Sequence, residues 1–148
     1  MNHSDKAVSY FMQGYNCAQA TAAAFAGDFG LDEALVLKAL AGFGAGIGGL
    51  RGTCGAVSAM VHVAGLRAGS YPPADLEAKK ALYDLVKQMV AEFAEQNGTT
   101  CCAELLAKTS CTPLPDPSKR NAEYYAMRPC AELVASAAEI AARTLLKR

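Results

Sequence analysis

The chain has 148 residues and a mass of 15.4 kDa, which is the usual length of one domain. Lysine plus arginine and aspartate plus glutamate both number 14, so the basic excess typical of nucleic-acid-binding proteins is absent. With 52% hydrophobic and 19% charged residues, the chain can bury a core, which argues against wholesale disorder. The alanine-rich composition, without tryptophan, favours closely packed helices over sheet. We therefore predict an all-α fold, a single-domain helical bundle of about five to seven helices over residues 1–148.

The predicted helices of the first half of the chain each begin at a residue whose side chain can accept a hydrogen bond from the first turn. These residues are Ser4 (helix to Gln13), Asn16 (to about Phe29), Asp32 (into the glycine-rich segment 42–55) and Thr53 (to about Leu66).

The second half of the chain contains the clearest helix, Ala74–Gln96. Apolar residues recur there at helical spacing, and charged residues occupy the other face. Asn97-Gly98 ends this helix because both residues tolerate a left-handed backbone. A short helix is predicted from Thr100 to about Lys108, followed by a proline-containing loop over 110–119. The last helix begins near Pro129 and continues to about Leu146.

Six cysteines are many for a chain of this length: Cys17, Cys54, Cys101, Cys102, Cys111 and Cys130. No export signal or membrane-spanning stretch is recognised, so we expect a cytoplasmic protein without membrane insertion. In a reducing compartment, several cysteines indicate redox chemistry or metal binding more often than a disulfide framework. A free cysteine is also a small buried hydrophobe, so a purely structural role is the alternative.

Four of the cysteines fall in the first turn of a predicted helix: Cys17, Cys54, Cys102 and Cys130. Unpaired backbone N–H groups and the helix dipole favour a thiolate at such positions and lower the cysteine pKa. Arg51 and Arg128 lie close in sequence to two of these cysteines and should act in the same direction. Helical periodicity places all four on the core side. Cys101 is rotated by about 100° to the solvent side, and Cys111 lies in the predicted loop.

The segment 42–55 holds seven glycines in fourteen residues. It matches GxGxxG formally, but it lacks the preceding strand and the later acidic residue of a dinucleotide site. We expect instead that the glycines let the backbone approach a buried group, the sulfur of Cys54, or a neighbouring helix. His62 lies two turns beyond Cys54 and is expected to be a core histidine.

Four stretches together resemble the C_GCAxxG_C_C family of redox-active proteins in order and spacing: GYNCAQA (14–20), GFGAGIGGLRGTCGAVSA (42–59), CAELL (102–106) and CAELV (130–134). The resemblance extends over nearly the whole chain. The family's four cysteines match the four at predicted helix starts. Ala59 stands where the family motif CGAxxG has its last glycine, and we expect slightly different packing there. The resemblance implies a helical fold and a redox role.

The leading hypothesis is thiol–disulfide exchange or electron transfer through Cys17, Cys54, Cys102 and Cys130. In the dithiol version, the thiolate of lower pKa attacks a disulfide and a second cysteine resolves the mixed disulfide. The chain has no CxxC motif, so the pair must come from different helices. Cys17 with Cys54 is the first choice, because their segments are the most distinctive.

Two alternatives remain open at this point. The same four cysteines could hold an iron–sulfur cluster or Zn²⁺, or the chain could be a structural accessory subunit whose cysteines only pack. We expect a protein redox partner and no nucleic acid. The sequence does not define the identity of that partner, the oligomeric state or the roles of Cys101, Cys111 and His62.

Overall fold

The structure of the protein is a computed structural model that describes residues 1–109 and 120–146. These residues form eight right-handed α-helices: α1 (His3–Met12), α2 (Cys17–Ala23), α3 (Glu33–Ala39), α4 (Gly55–Ala68), α5 (Leu76–Asn97), α6 (Cys102–Ala107), α7 (Ala122–Met127) and α8 (Cys130–Leu145). Two 3-10 turns cover Ala26–Phe29 and Ala41–Phe43, and the described ranges contain no β-strand. The predicted all-α bundle is confirmed, with one helix more than the predicted range.

Several helix ends follow from local sequence as predicted. Asn16 caps α2 through a capping box: its Oδ1 accepts the Gln19 backbone N–H at 2.9 Å, and Gln19 Oε1 accepts the Asn16 N–H at 3.1 Å. The side chain of Asp32 caps α3. Gly98 ends α5 with a left-handed φ of 95°. Residues within three positions of each other therefore determine where these helices begin and end.

Other boundaries differ from the prediction. Asn2, rather than Ser4, caps α1, because the Asn2 side chain accepts the backbone N–H of Asp5. Cys54, rather than Thr53, occupies the N-cap position of α4. Helix α2 ends at Ala23, because the chain then tightens into a 3-10 turn. Helix α7 has no counterpart in the sequence prediction, and the loop predicted for 110–119 lies outside the described residues.

The centre of the bundle is formed by α1, α2, α4 and α8. Helix α8 packs against α1, α4 and α5, and α2 packs against α1 and α4. Large side chains fill the space between them, and the largest fully buried ones include Phe11, Phe25, Phe93, Met60 and Met89. A smaller cluster holds α3 against α2, and Ala59, where the family motif has glycine, is fully buried in it. No helix among the described residues has both the length and the apolar character needed to cross a bilayer.

The beginnings of α4 and α6 are joined by main-chain hydrogen bonds, although they lie far apart in the sequence. We call this pairing of residues 51–54 with residues 100–103 the seam. The seam contains three hydrogen bonds, in which the backbone N–H of the first residue donates to the carbonyl of the second: Cys54 to Thr100 (2.8 Å), Cys102 to Gly52 (2.6 Å) and Ala103 to Arg51 (3.2 Å). A bridge between Thr53 and Cys101 lies in the same pairing. The seam therefore positions two of the predicted site cysteines next to one another through the backbone.

Candidate functional site

A cavity of about 450 Å³ lies where four helices begin, and four cysteines line it: Cys17, Cys54, Cys102 and Cys130. Helices α2, α6 and α8 start at Cys17, Cys102 and Cys130, and Cys54 is the N-cap of α4. Their placement at helix starts is therefore as predicted. Cys54 and Cys130 are buried, whereas Cys17 and Cys102 are half-buried. Cys101 does not line the cavity, and its thiol donates to the Arg51 carbonyl at 3.6 Å. Cys111 lies outside the described residues.

Two of the cavity sulfurs, those of Cys17 and Cys130, interact directly with one another. The thiol of Cys17 donates a hydrogen bond to the sulfur of Cys130, and this bond lowers the pKa of Cys130 to about 7 from its ordinary 9.0. The same bond, followed by burial, raises the pKa of Cys17 well above its ordinary value. The sequence-based choice of Cys17 with Cys54 stays a prediction, since both of these cysteines line the cavity. The contact between Cys17 and Cys130 could not be read from sequence, because these two residues lie near opposite ends of the chain.

A position at a helix start does not by itself lower the pKa of every cysteine, contrary to the sequence-based argument. Burial raises the pKa of Cys54 to about 12, even though the backbone N–H groups of Ala56 and Val57 act on its sulfur in the opposite direction. The helix effect is therefore present, but the cost of burying a thiolate is larger. Among the four cavity cysteines, the structure lowers the pKa of Cys130 because its thiolate has a thiol donor and cationic neighbours.

Three arginines line the cavity around these sulfurs: Arg51, Arg120 and Arg128. Their positive charges lower the pKa of Cys130 further, in the order Arg128, Arg120 and Arg51. Arg51 Nη1 also donates to Cys102 Sγ at 3.6 Å. The sequence pointed to Arg51 and Arg128 because each lies within three residues of a cysteine. It gave no signal for Arg120, whose position depends on the tertiary fold.

Arg120 is held in place by its own contacts. Its Nη1 and Nη2 donate to the carbonyls of Phe11 and Tyr15 at 3.2 and 3.0 Å. The guanidinium lies 4.5 Å from the Phe11 ring centre and 4.7 Å from that of Tyr124. Arg128 lies 4.6 Å from the same Tyr124 ring. The Tyr124 ring therefore contacts two of the cationic side chains of the cavity and helps to order them.

The glycine-rich segment forms a left-handed turn along the cavity wall. Five consecutive residues, 45–49, have positive φ, and Ala45 and Ile47 adopt it despite their side chains. A Cβ on Gly44 would lie 2.5 Å from the Asn16 side chain, and a Cβ on Gly46 would lie 2.6 Å from the Arg51 backbone. The glycines therefore allow close approach to the cap of α2 and to Arg51. For neither Gly44 nor Gly46 is the Cys54 sulfur the nearest group, contrary to the expectation from sequence.

Within residues 1–109 and 120–146, no three Cys, His, Asp or Glu side chains form a group that could hold a metal ion. The iron–sulfur or zinc alternative stays a prediction of the sequence. His62 does not line the cavity, its Nε2 has no hydrogen-bond partner among the described residues, and burial lowers its pKa.

The comparison with protein families finds one model, described as "Putative redox-active protein (C_GCAxxG_C_C)", that matches residues 15–144. The match covers more than half of the chain and includes all four cavity cysteines. The searches of the curated proteins and of the solved structures give no match.

Proposed function

The chain belongs to the C_GCAxxG_C_C family of redox-active proteins, and we propose that it carries out thiol–disulfide exchange with Cys130 as the attacking thiolate and Cys17 as the resolving thiol. The observation that carries this proposal is that Cys17 and Cys130 begin two helices at one cavity and their sulfurs interact there, in surroundings that lower the pKa of Cys130 to about 7. About half of such a thiol is ionised at pH 7, against about one per cent of a thiol with a pKa of 9. The thiolate is the reactive form in exchange.

The first step consumes the Cys130 thiolate. Its sulfur attacks one sulfur of a disulfide R–S–S–R, the S–S bond breaks, and RS⁻ leaves and takes a proton from water. Cys130 is then part of a mixed disulfide and carries no charge. The two effects of the Cys130 thiolate on Cys17, its hydrogen bond and its charge, disappear together. The pKa of Cys17 therefore falls at the moment when its thiolate is needed.

The second step resolves the mixed disulfide. Cys17 loses its proton to water, and its thiolate attacks the Cys130 sulfur, which forms the Cys17–Cys130 disulfide and expels the second RS⁻. Two electrons have then passed from the protein to the substrate, and the two released RS⁻ take up one proton that Cys17 gave to water and one from the solvent, so that the substrate leaves as two RSH. An external dithiol returns the protein to its reduced state by the reverse exchange. Cys54 and Cys102 form part of the sulfur-lined wall and are not required for these steps.

The test is disulfide mapping after a single oxidation. Reduced protein is treated with 2-hydroxyethyl disulfide, the remaining thiols are alkylated, and the peptides are identified by mass spectrometry. We expect Cys17 linked to Cys130. Cys17→Ser should trap the mixed disulfide at Cys130, and Cys130→Ser should abolish both products. Cys54→Ser is the matched control and should leave the Cys17–Cys130 link intact.

A second measurement separates this proposal from the metal alternative. Protein purified without oxygen is assayed for iron, acid-labile sulfide and zinc. Metal in stoichiometric amount that is lost on replacing Cys17 or Cys130 would overturn the proposal in favour of a metal-binding module. An oxidised protein that links Cys130 to a cysteine other than Cys17 would overturn the assignment of the resolving residue.

A further inference from the structure

We infer that Arg120 is a positioning residue for the resolving step, and that it fixes Cys17 opposite Cys130 by tying together the two parts of the chain that precede these cysteines. The inference rests on the proposed function, because it concerns the step in which the Cys17 sulfur displaces RS⁻ from the Cys130 sulfur. It is carried by the hydrogen bonds and ring contacts of Arg120, which connect residues 105 and 109 positions apart in the sequence.

The resolving step depends on how accurately the two sulfurs face one another. Cys17 is the first residue of α2 and Cys130 is the first residue of α8, so each sulfur is placed by the start of its helix. The bond that forms between them is about 2.05 Å long and accepts a narrow range of geometries. A displacement of about 1 Å at a reacting group can slow a reaction about 100-fold. A contact that fixes the two helix starts relative to each other therefore acts on the rate of this step.

Arg120 fixes the segment that precedes Cys17. Its Nη1 donates to the Phe11 carbonyl in the last turn of α1, and its Nη2 donates to the Tyr15 carbonyl, two residues before Cys17. The guanidinium holds both acceptors in one geometry, because its N–H groups form a rigid, planar fork. Phe11 is itself firmly packed, with 1% of its surface exposed. One side chain therefore anchors the connection between α1 and α2 at two points.

The Tyr124 ring extends this contact to the segment that precedes Cys130. The Arg120 guanidinium lies 4.7 Å from the centre of the ring, and the Arg128 guanidinium lies 4.6 Å from it. Two residues separate the end of α7 from Cys130, so a shift of α7 is passed on to the Cys130 sulfur. A continuous set of contacts therefore joins the residues just before the two cysteines.

Arg120→Lys separates this positioning role from the effect of charge. Lysine keeps a positive charge of the kind that lowers the pKa of Cys130, but its single ammonium group cannot reproduce the fork that binds both carbonyls. The charge acts on the attack by the Cys130 thiolate, whereas the fork acts on the resolution by Cys17. The variant should therefore change the second step and spare the first.

The experiment is a rapid-quench single turnover with excess 2-hydroxyethyl disulfide at a fixed pH near neutrality. Acid-quenched samples are analysed by mass spectrometry for the mixed disulfide at Cys130 and for the Cys17–Cys130 disulfide. The mixed disulfide forms at a rate proportional to the probe concentration, whereas its conversion to the internal disulfide is first order and independent of the probe. In Arg120→Lys we expect the rate of conversion to fall about tenfold or more, and the rate of attack to stay within about twofold of that of the unmodified protein.

Three further variants connect the effect to these contacts. Arg67→Lys is the matched control, because Arg67 Nε donates to the Leu145 carbonyl at 3.1 Å, at the opposite end of α8, and it should leave both rates unchanged. Tyr124→Leu removes the ring that joins the two guanidinium groups and should slow the conversion several-fold, which keeps the test usable if Arg120→Lys fails to fold. Tyr124→Phe keeps the ring and should slow the conversion less than Tyr124→Leu does.

The outcomes for the inference and for the proposed function are distinguishable. An unchanged rate of conversion in Arg120→Lys and Tyr124→Leu would overturn the positioning role and leave the exchange proposal standing. The same holds if Arg120→Lys slows attack and conversion equally, or if Arg67→Lys slows the conversion as much as Arg120→Lys does. The absence of the Cys17–Cys130 disulfide in the unmodified protein would overturn the proposed function itself.

Discussion

The low pKa of Cys130 depends on the thiol of Cys17, and Cys17→Ala tests this dependence directly. The hydrogen bond from Cys17 is the largest influence that moves the Cys130 pKa from 9.0 to about 7, and burial opposes the shift. The arginines stay in place when Cys17 is removed. We therefore expect the pKa of Cys130 to rise by at least about one unit, which corresponds to about 1.4 kcal/mol of lost thiolate stabilisation.

The assay is the pH dependence of Cys130 alkylation by iodoacetamide, followed on the Cys130 peptide by mass spectrometry. The alkylation rate follows the thiolate fraction, so the unmodified protein should give a midpoint near pH 7. In Cys17→Ala the midpoint should move upward, and the rate below it should fall about tenfold for each unit of pKa. Cys17→Ser is the matched variant, because its hydroxyl can still donate a hydrogen bond, and it should keep most of the shift.

Two results would refute this reasoning. A Cys17→Ala midpoint that stays near 7 would assign the low pKa to the arginines alone. A Cys17→Ser midpoint that follows Cys17→Ala would show that a donor at this position does not stabilise the thiolate.

Three further predictions concern stability, measured by urea unfolding. Stability should rise between pH 7 and 9 by about 1–2 kcal/mol, because over most of this range Cys130 is ionised in the folded protein and protonated in the unfolded chain. Above pH 9 the stability should fall, because Cys54 ionises near pH 9 in the unfolded chain but only near pH 12 in the folded protein. A rise between pH 7 and 9 that persists in Cys130→Ser would contradict the assignment of that rise to Cys130. Gly46→Ala should cost about 3 kcal/mol or more, because φ is +66° and its Cβ would lie 2.6 Å from backbone, whereas Gly42→Ala has open space and should change stability by about 0.5 kcal/mol at most; equal effects would be evidence against the close approach. Asn16→Ala should cost about 1–2 kcal/mol, because it removes the acceptor for the Gln19 N–H and the Nδ2 donor to the Ala41 carbonyl. Asn16→Asp keeps only the acceptor and should restore part of this loss; an Asn16→Ala variant as stable as the unmodified protein would contradict the role of the cap.

The features that could be predicted from the sequence are those determined by neighbouring residues. Asn16, Asp32 and Gly98 act on backbone groups within a few positions, so their effect on helix ends is readable without knowledge of the fold. The placement of Cys17 at a helix start follows from the Asn16 cap, whereas the helices that begin next to Cys54 and at Cys102 and Cys130 have no side-chain cap. The fold class follows from alanine content and helical periodicity, because both reflect which faces can pack closely.

The features that could not be predicted depend on distance in space and on competition between effects. The contact between Cys17 and Cys130 requires α2 and α8 to pack together, and nothing in either segment specifies the other. Arg120 reaches the cavity only because the carbonyls of residues 11 and 15 hold its side chain there. The pKa of Cys54 has the opposite direction to that expected, because sequence reveals the helix start but not the extent of burial.

The seam also determines where the chain can tolerate a change of length. It holds together the start of α4 and the residues just after α5, so both ends of this helical hairpin are fixed at the cavity. Helix α4 has 14 residues and α5 has 22, which correspond to lengths of roughly 21 and 33 Å. Helix α5 therefore extends roughly 12 Å, or about two turns, beyond its partner, and Leu76 near its tip is 70% exposed. Whole helical turns can be removed from or added to this tip while both fixed ends keep their places, so we expect variation in chain length to be concentrated at the connection 69–75 and the first two turns of α5, with the cavity unchanged.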